Sequence, residues 1–331
     1  RTMPDIAADR RDLLADYVLR AFGPESDTGR PHRAMLLLFE GEDAIKKIYE
    51  TAGALNDAQE SADTVRGTYG DCVRDAAGNI IYFEPAVLIA PTPSAAKQIL
   101  SLWMEYADMD GGIVKNALSL PDADVQRTLV IIKPDNFRFP SSRPGNIIDI
   151  FARSGLRIIG AQVHRMSMAE AKEFYGPVQA VLREKLAGRT TDKACAALEE
   201  TFGFPMPADV KESIHATLGP YYGDHQFFEI MQFMTGLWMP DVPESEMDAD
   251  GKVCCLVLIY AGTDAVNKIR NILGPTDPSK AQPGSVRKEY GSDIMVNAAH
   301  ASDSPESCKR EMSIIKPERN LLKKWFDQYY A

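Results

Sequence analysis

The feature that most constrains this chain is an internal repeat: residues 34–70 align without a gap on residues 255–291, at a constant offset of 221. Self-similarity at that distance implies a duplicated unit before any motif is read, because both copies must build the same local elements. Leu37, Gly41, Asp43, Ala44, Lys47, Ile48 and Gly53 match Leu258, Gly262, Asp264, Ala265, Lys268, Ile269 and Gly274. Val65, Arg66, Tyr69 and Gly70 match Val286, Arg287, Tyr290 and Gly291. The repeat resumes after a nine-residue shift, with Thr92-Pro93 opposite Ser304-Pro305. On these registers Leu88 stands opposite His300, Pro85 opposite Asn297, Tyr49 opposite Arg270 and Leu55 opposite Thr276. Core and turn positions persist in the first copy while polar ones do not, the pattern of a copy kept for packing. Too few residues precede 34 for the elements that lead into the second copy, so the first reads as a half or truncated domain.

At 331 residues the chain has room for about two domains. Runs rich in Val, Ile and Leu at 34–39, 80–89, 128–132, 156–165 and 253–260 read as strands. Helical signals lie between them. Ser167 and Glu170 have capping-box spacing, and Ser304 before Pro305 reads as an N-cap with proline in the first turn. Thr263 is the expected cap of a helix that buries Val266, Ile269 and Leu273 and stops at Gly274. The alternation predicts an α/β or α+β sheet protein. The sequence divides into residues 1–105, a linker at 106–126 with Gly111, Gly112 and Pro121, and residues 127–331.

A net charge of −10 argues against a chain that coats nucleic acid or an anionic membrane, since either needs a broad positive field. An anionic ligand would need a local basic pocket. The five cysteines form no C-x-x-C pair, and no apolar run reaches the length of a membrane span. A soluble, cytoplasmic protein with no membrane or specific nucleic-acid partner and no zinc or redox site is expected.

His300 stands apart from the other four histidines because of its neighbours. It lies in Asn297-Ala298-Ala299-His300-Ala301-Ser302-Asp303-Ser304-Pro305-Glu306-Ser307, at the end of a strand and four residues before a helix cap. A side chain there projects into the crevice at the strand's end, and small neighbours leave room for a bulky group. Glu311, about two turns into the following helix, can fix the tautomer of the imidazole, which a nucleophilic histidine requires.

These residues resemble the signature of the nucleoside diphosphate kinases, with Ala299 where that family usually has Ile or Val and Ala301 where it has Gly. Two further segments resemble the family in the same order: Thr128-Leu-Val-Ile-Ile-Lys-Pro-Asp135, and the loop from Leu273 to Arg287. The resemblance implies a ferredoxin-like α+β fold, an antiparallel four-stranded sheet covered by helices, preceded by a partial repeat of the same fold. The family's pattern is lengthened near 176–220, 237–251 and 138–143.

The resemblance also implies roles. His300 would be the phosphorylated nucleophile, supported by Glu311 and Ser302; Lys133 would hold the transferred phosphate, and Arg270, Thr276 and Arg287 the others. Asn297 would meet the sugar, Phe227 would stack on the base, and Tyr175 would contact phosphate, with Tyr221 and Tyr222 as rivals. The implied partners are ATP and other nucleoside di- and triphosphates, with Mg2+ held through their phosphates, ping-pong kinetics, and assembly into at least a dimer. This chemistry suits the residue types, because phosphoryl transfer asks mainly for positioning and positive charge around the equatorial oxygens. Neither a P-loop nor a dinucleotide fingerprint is present. A nucleotide-binding or scaffolding protein of the same fold is the alternative, disfavoured because a binding module has no need of the nucleophile.

Overall fold

The computed structural model describes residues 8–29, 32, 34–55, 63–107, 111–118, 121 and 124–330, with backbone alone at 8–10 and 185–189. Contacts divide the chain into two compact units, residues 1–117 with 319–331, and residues 118–318. Reading the sequence carries the second domain to residue 331; the C-terminal helix instead groups with the first unit.

In that first unit α1 (Ala8–Phe22) precedes α2 (Ala44–Ala52), α3 (Val65–Tyr69), a hairpin of β1 (Asp71–Arg74) and β2 (Ile80–Glu84), and α4 (Pro93–Met104). Leu14 and Tyr17 of α1 pack on Phe83 of β2, and Arg20 pairs with Glu84 at 2.9 Å. Residues 34–39, expected as a strand, form none, and Met35 to Phe39 are 38–59% exposed. A strand is defined by a paired neighbour. The matching residues of the second unit have one on each side, and none pairs with 34–39 among the described residues.

The second unit contains β3 (Gln126–Ile132), α5 (Arg143–Ala152), β4 (Arg157–His164), α6 (Met168–Val181), α7 (Ala187–Phe202), α8 (Ala208–Thr235), β5 (Cys255–Gly262), α9 (Ala265–Leu273), α10 (Val286–Tyr290), β6 (Ala299–Ala301) and α11 (Pro305–Ile315). Helix α12 (Leu322–Tyr330) follows and belongs to the first unit, where Lys97 of α4 donates to the Tyr330 carbonyl at 3.1 Å. The four strands form an antiparallel sheet in the order β4-β5-β3-β6. Counted within the unit this is 2-3-1-4, the ferredoxin-like arrangement of two split β-α-β halves. The central strands β3 and β5 are buried on both faces, which is why their sequences are continuous apolar runs; edge strand β4 alternates. Ile132, Ile147, Phe151, Leu258, Tyr260 and Ile269 close the core under α5 and α9, each such side chain contributing about 1.5–3 kcal/mol by leaving water.

The two units repeat each other in backbone detail. Helices α2 and α9 both start at an aspartate in the left-handed region (Asp43 φ 52°, Asp264 φ 54°) and end at a glycine there (Gly53 φ 85°, Gly274 φ 86°). The expected cap Thr263 is therefore displaced by Asp264, which tolerates that conformation better than most residues. Arg66 is buried and donates to the carbonyls of Gly53 and Val87; Arg287 donates to those of Gly274 and Ala299. Val87 is the counterpart of Ala299 on the shifted register. A tight γ-turn with a left-handed alanine precedes each: Ala86 (φ 56°), with Val87 N–H donating to Pro85, and Ala298 (φ 69°), with Ala299 N–H donating to Asn297. Thr92 and Ser304 both cap a helix with proline in the first turn.

Within 176–220, α6 runs on through Pro177 to Val181, and α7 and α8 follow; Lys211 of α8 pairs with Glu199 of α7, and Arg183, between α6 and α7, pairs with Asp224 of α8, both at 2.7 Å. Residues 237–251 form two short 3-10 turns, Met239–Asp241 and Glu244–Glu246.

Candidate active site

His300 is the middle residue of the short edge strand β6, opposite Ile131 of β3. Paired residues share a face of the sheet, and so do residues two apart. His300, Ser302 and Lys133, two beyond Ile131, therefore emerge on one side. The Lys133 backbone N–H donates to Ala298 at 2.9 Å, extending the ladder by one rung and fixing where the lysine leaves the sheet.

Helix α11 begins under a Ser304 cap, which brings buried Glu311 beneath the strand. Glu311 Oε1 lies 3.0 Å from His300 Nε2, and Ser302 Oγ donates to Oε2 at 2.6 Å. A carboxylate only accepts, so Nε2 carries the ring proton and Nδ1 keeps its lone pair. The imidazole is 23% exposed, with Phe174 edge-on at 5.1 Å and Tyr175 at 6.4 Å between ring centres. Arg310 donates to the Glu173 and Phe174 carbonyls at 3.2 Å each, binding α6 to α11 and holding those rings against the histidine. The Tyr175 hydroxyl is buried without a partner, and burial raises its pKa.

Lys133 Nζ donates to Asn297 Oδ1 at 2.8 Å and to the Met295 carbonyl at 3.2 Å, with the Phe233 ring 5.5 Å away. Asn297 Nδ2 in turn donates to the carbonyls of Ile294 and of exposed Thr276. Burial first, and then Arg287, push the Lys133 pKa down to about 8, against the opposing pull of Asp135 and Asp293. Arg287 is held by two carbonyls, its Nε buried and unpartnered, and its pKa falls to about 10 through burial and then the charge of Arg270. Arg270 is itself exposed, and its charge helps hold the Asp303 carboxyl low, after the Ser307 hydrogen bond. Burial pushes the Asp135 carboxyl up to about 6, opposed by Lys133 and Arg143. Three cations, a histidine with one nitrogen free and a buried hydroxyl without a partner suit a polyphosphate.

The family model described as nucleoside diphosphate kinase matches residues 126–184 and 245–321. Over those residues the second part of this chain resembles the nucleoside diphosphate kinase family. Relatives named nucleoside diphosphate kinase include one from Nitrosospira multiformis, 29% identical over 197 residues, covering 60% of this chain and 96% of the relative. Another, from Bdellovibrio bacteriovorus, is 29% identical over 58% of this chain and 92% of its own length. Among solved structures, the Aquifex aeolicus nucleoside diphosphate kinase aligns at 27% identity and a TM-score of 0.36, over 58% of this chain and 94% of that one.

The kinase-family model breaks off at 184 and resumes at 245, so α7, α8 and Phe227 lie outside it. Phe227, expected to stack on a base, is fully buried in the contact face of α8 and presents no ring to solvent. The difference is one of helical phase: the resemblance placed Phe227 at the site, but α8 turns that position inward. Tyr221, a rival for Tyr175, is 70% exposed on the insert helix. Reading the sequence also missed Phe174, Phe233, Asn136 and Arg143. Phe174 could have been found, since Ala171, Phe174 and Tyr175 form a buried stripe at helical spacing. Phe233 approaches Lys133 from a helix outside the family pattern, and nothing local marks Asn136.

Proposed function

We propose that the second unit moves the terminal phosphate of a nucleoside triphosphate to a nucleoside diphosphate through a phosphohistidine on His300. The observation that carries this reading is the Nε2 to Glu311 contact of 3.0 Å, which leaves Nδ1 as the nucleophile. In the first half-reaction the Nδ1 lone pair attacks the γ-phosphorus, the P–N bond forms, and the bond to the bridging oxygen breaks to release the diphosphate. Glu311 balances the positive charge that develops on the ring, with Ser302 steadying the carboxylate. In the second half-reaction a terminal oxygen of the acceptor diphosphate attacks the same phosphorus and the P–N bond breaks. One shared intermediate gives ping-pong kinetics.

Lys133 and Tyr175 are suited to the transferred group, while Arg270, Thr276 and Arg287 suit the remaining phosphates and Asn297 the sugar. Such groups act in a partly dry site, where each charge counts for more than in water. No group of three or more His, Cys, Asp or Glu fit to hold a metal occurs among the described residues, so an Mg2+ would arrive with the nucleotide's phosphates, and exposed Asp303 would be the carboxylate available to it. The ion supplies charge neutralisation.

Incubation with radiolabelled ATP is expected to give an acid-labile, base-stable label on the intact protein, absent from His300→Ala. An unlabelled wild-type protein that still binds ATP would move the assignment to a nucleotide-binding protein of this fold.

A further inference from the structure

Asn136 sits in the short 3-10 turn Pro134–Phe137, one turn past β3, and is 2% exposed. Its Nδ2 donates to two carbonyls, Lys133 at 3.0 Å and Ala298 at 2.8 Å, while its Oδ1 accepts from Arg143 Nε at 2.7 Å. That assignment is self-consistent, because flipping the amide would set its oxygen against two carbonyl oxygens and its NH2 against a guanidinium. Arg143 also donates to the Tyr290 carbonyl at the end of α10 and stacks on the Tyr290 ring at 5.2 Å. One buried amide thus ties together the stem of Lys133, the γ-turn two residues before His300 and, through Arg143, the helix that carries Arg287.

Resting on the phosphohistidine reading, we infer that Asn136 is a positioning residue for phosphoryl transfer, clasping the Ala298 turn so that His300 and Lys133 hold their mutual geometry. Ala298 stands at φ 69°, a conformation costly for a residue with a Cβ, and its carbonyl is anchored twice, by the Lys133 N–H and by Asn136. The first unit supplies an internal comparison. Its γ-turn at Ala86 keeps the arginine strut, Arg66 to Val87, with Leu88 in place of the histidine, so the strut accompanies the turn in both copies.

The two faces of the side chain can be separated. Asn136→Asp keeps the size and the acceptor for Arg143 but places a second oxygen against the two carbonyls; Asn136→Ala removes both faces. The rate of His300 phosphorylation at saturating ATP is expected to fall about 10- to 100-fold in each, as for a small misplacement of reacting groups. ATP affinity is expected to stay within about threefold, because the phosphate-binding cations remain. Rapid-quench labelling gives the rate, titration calorimetry the affinity, and thermal melts the folded fraction. Wild-type labelling rates in folded Asn136→Ala or Asn136→Asp would overturn the inference, as would recovery by Asn136→Asp, which would assign the effect to Arg143 alone. Loss of affinity in step with rate would also overturn it. If wild-type protein takes no label, the phosphohistidine reading itself fails, an outcome distinct from these.

Discussion

At the scale of single residues, Lys133 shows how burial sets the working range of the site. The ammonium is held by Asn297 and the Met295 carbonyl, faces Phe233, and feels Arg287 against Asp135 and Asp293. Its charged form is disfavoured, so in the free protein the pKa lies at about 8 and the cation is lost as pH rises through that value. In the proposed function phosphate binding needs the cation, and a bound polyphosphate would favour it. The expected outcome is that kcat/KM falls about tenfold per pH unit above the Lys133 pKa, while kcat at saturation holds to higher pH. A flat kcat/KM profile up to pH 10 would contradict this role. The place of His300 was legible in the sequence because a strand end and the helix cap that follows fix that side chain locally, while Lys133 was marked by the resemblance of its segment. Asn136 was not legible, since its contact to the Ala298 carbonyl spans 162 residues and exists only once the sheet has closed.

Among the elements, the repeated strut is the clearest link from sequence to backbone. A buried arginine that spans a helix-ending glycine and a γ-turn satisfies carbonyls that would otherwise lie dry, each worth about 1–3 kcal/mol if left unpaired. Arg66→Met removes those donors while relieving the cost of a buried charge, so a net loss of about 2–4 kcal/mol is expected in urea unfolding of the first unit. His300 labelling should be unchanged. Stability equal to wild type would show that the Gly53 and Val87 carbonyls find other partners. Residues 34–39 and 255–260 make the complementary point. Similar apolar sequences occupy an exposed, unpaired segment in one unit and a fully buried central strand in the other. Hydrophobic runs state what could be a strand; the neighbouring strands decide whether one forms.

For the whole molecule, the net charge of −10 says little about the ligand, because in the proposed function the charges that meet it are gathered at Lys133, Arg270 and Arg287. The resemblance of the second unit to nucleoside diphosphate kinases leads us to propose a homo-oligomer, at least a dimer, against a chain mass of 36.6 kDa. Light scattering across a dilution series measures this, and a mass of one chain at all concentrations would refute it. The sequence by itself determined the repeated segments, the main strands of the second unit with its Ser167 and Ser304 caps, and the proximity of His300 to Glu311, since all of these rest on short-range periodicity and local turns. Only the tertiary structure decided that Phe227 faces inward, that residues 34–39 stay unpaired, that the last helix joins the first unit, and that Asn136 clasps the turn before His300. Each of those depends on which distant segments meet, and burial and hydrogen-bond satisfaction are settled only by that meeting.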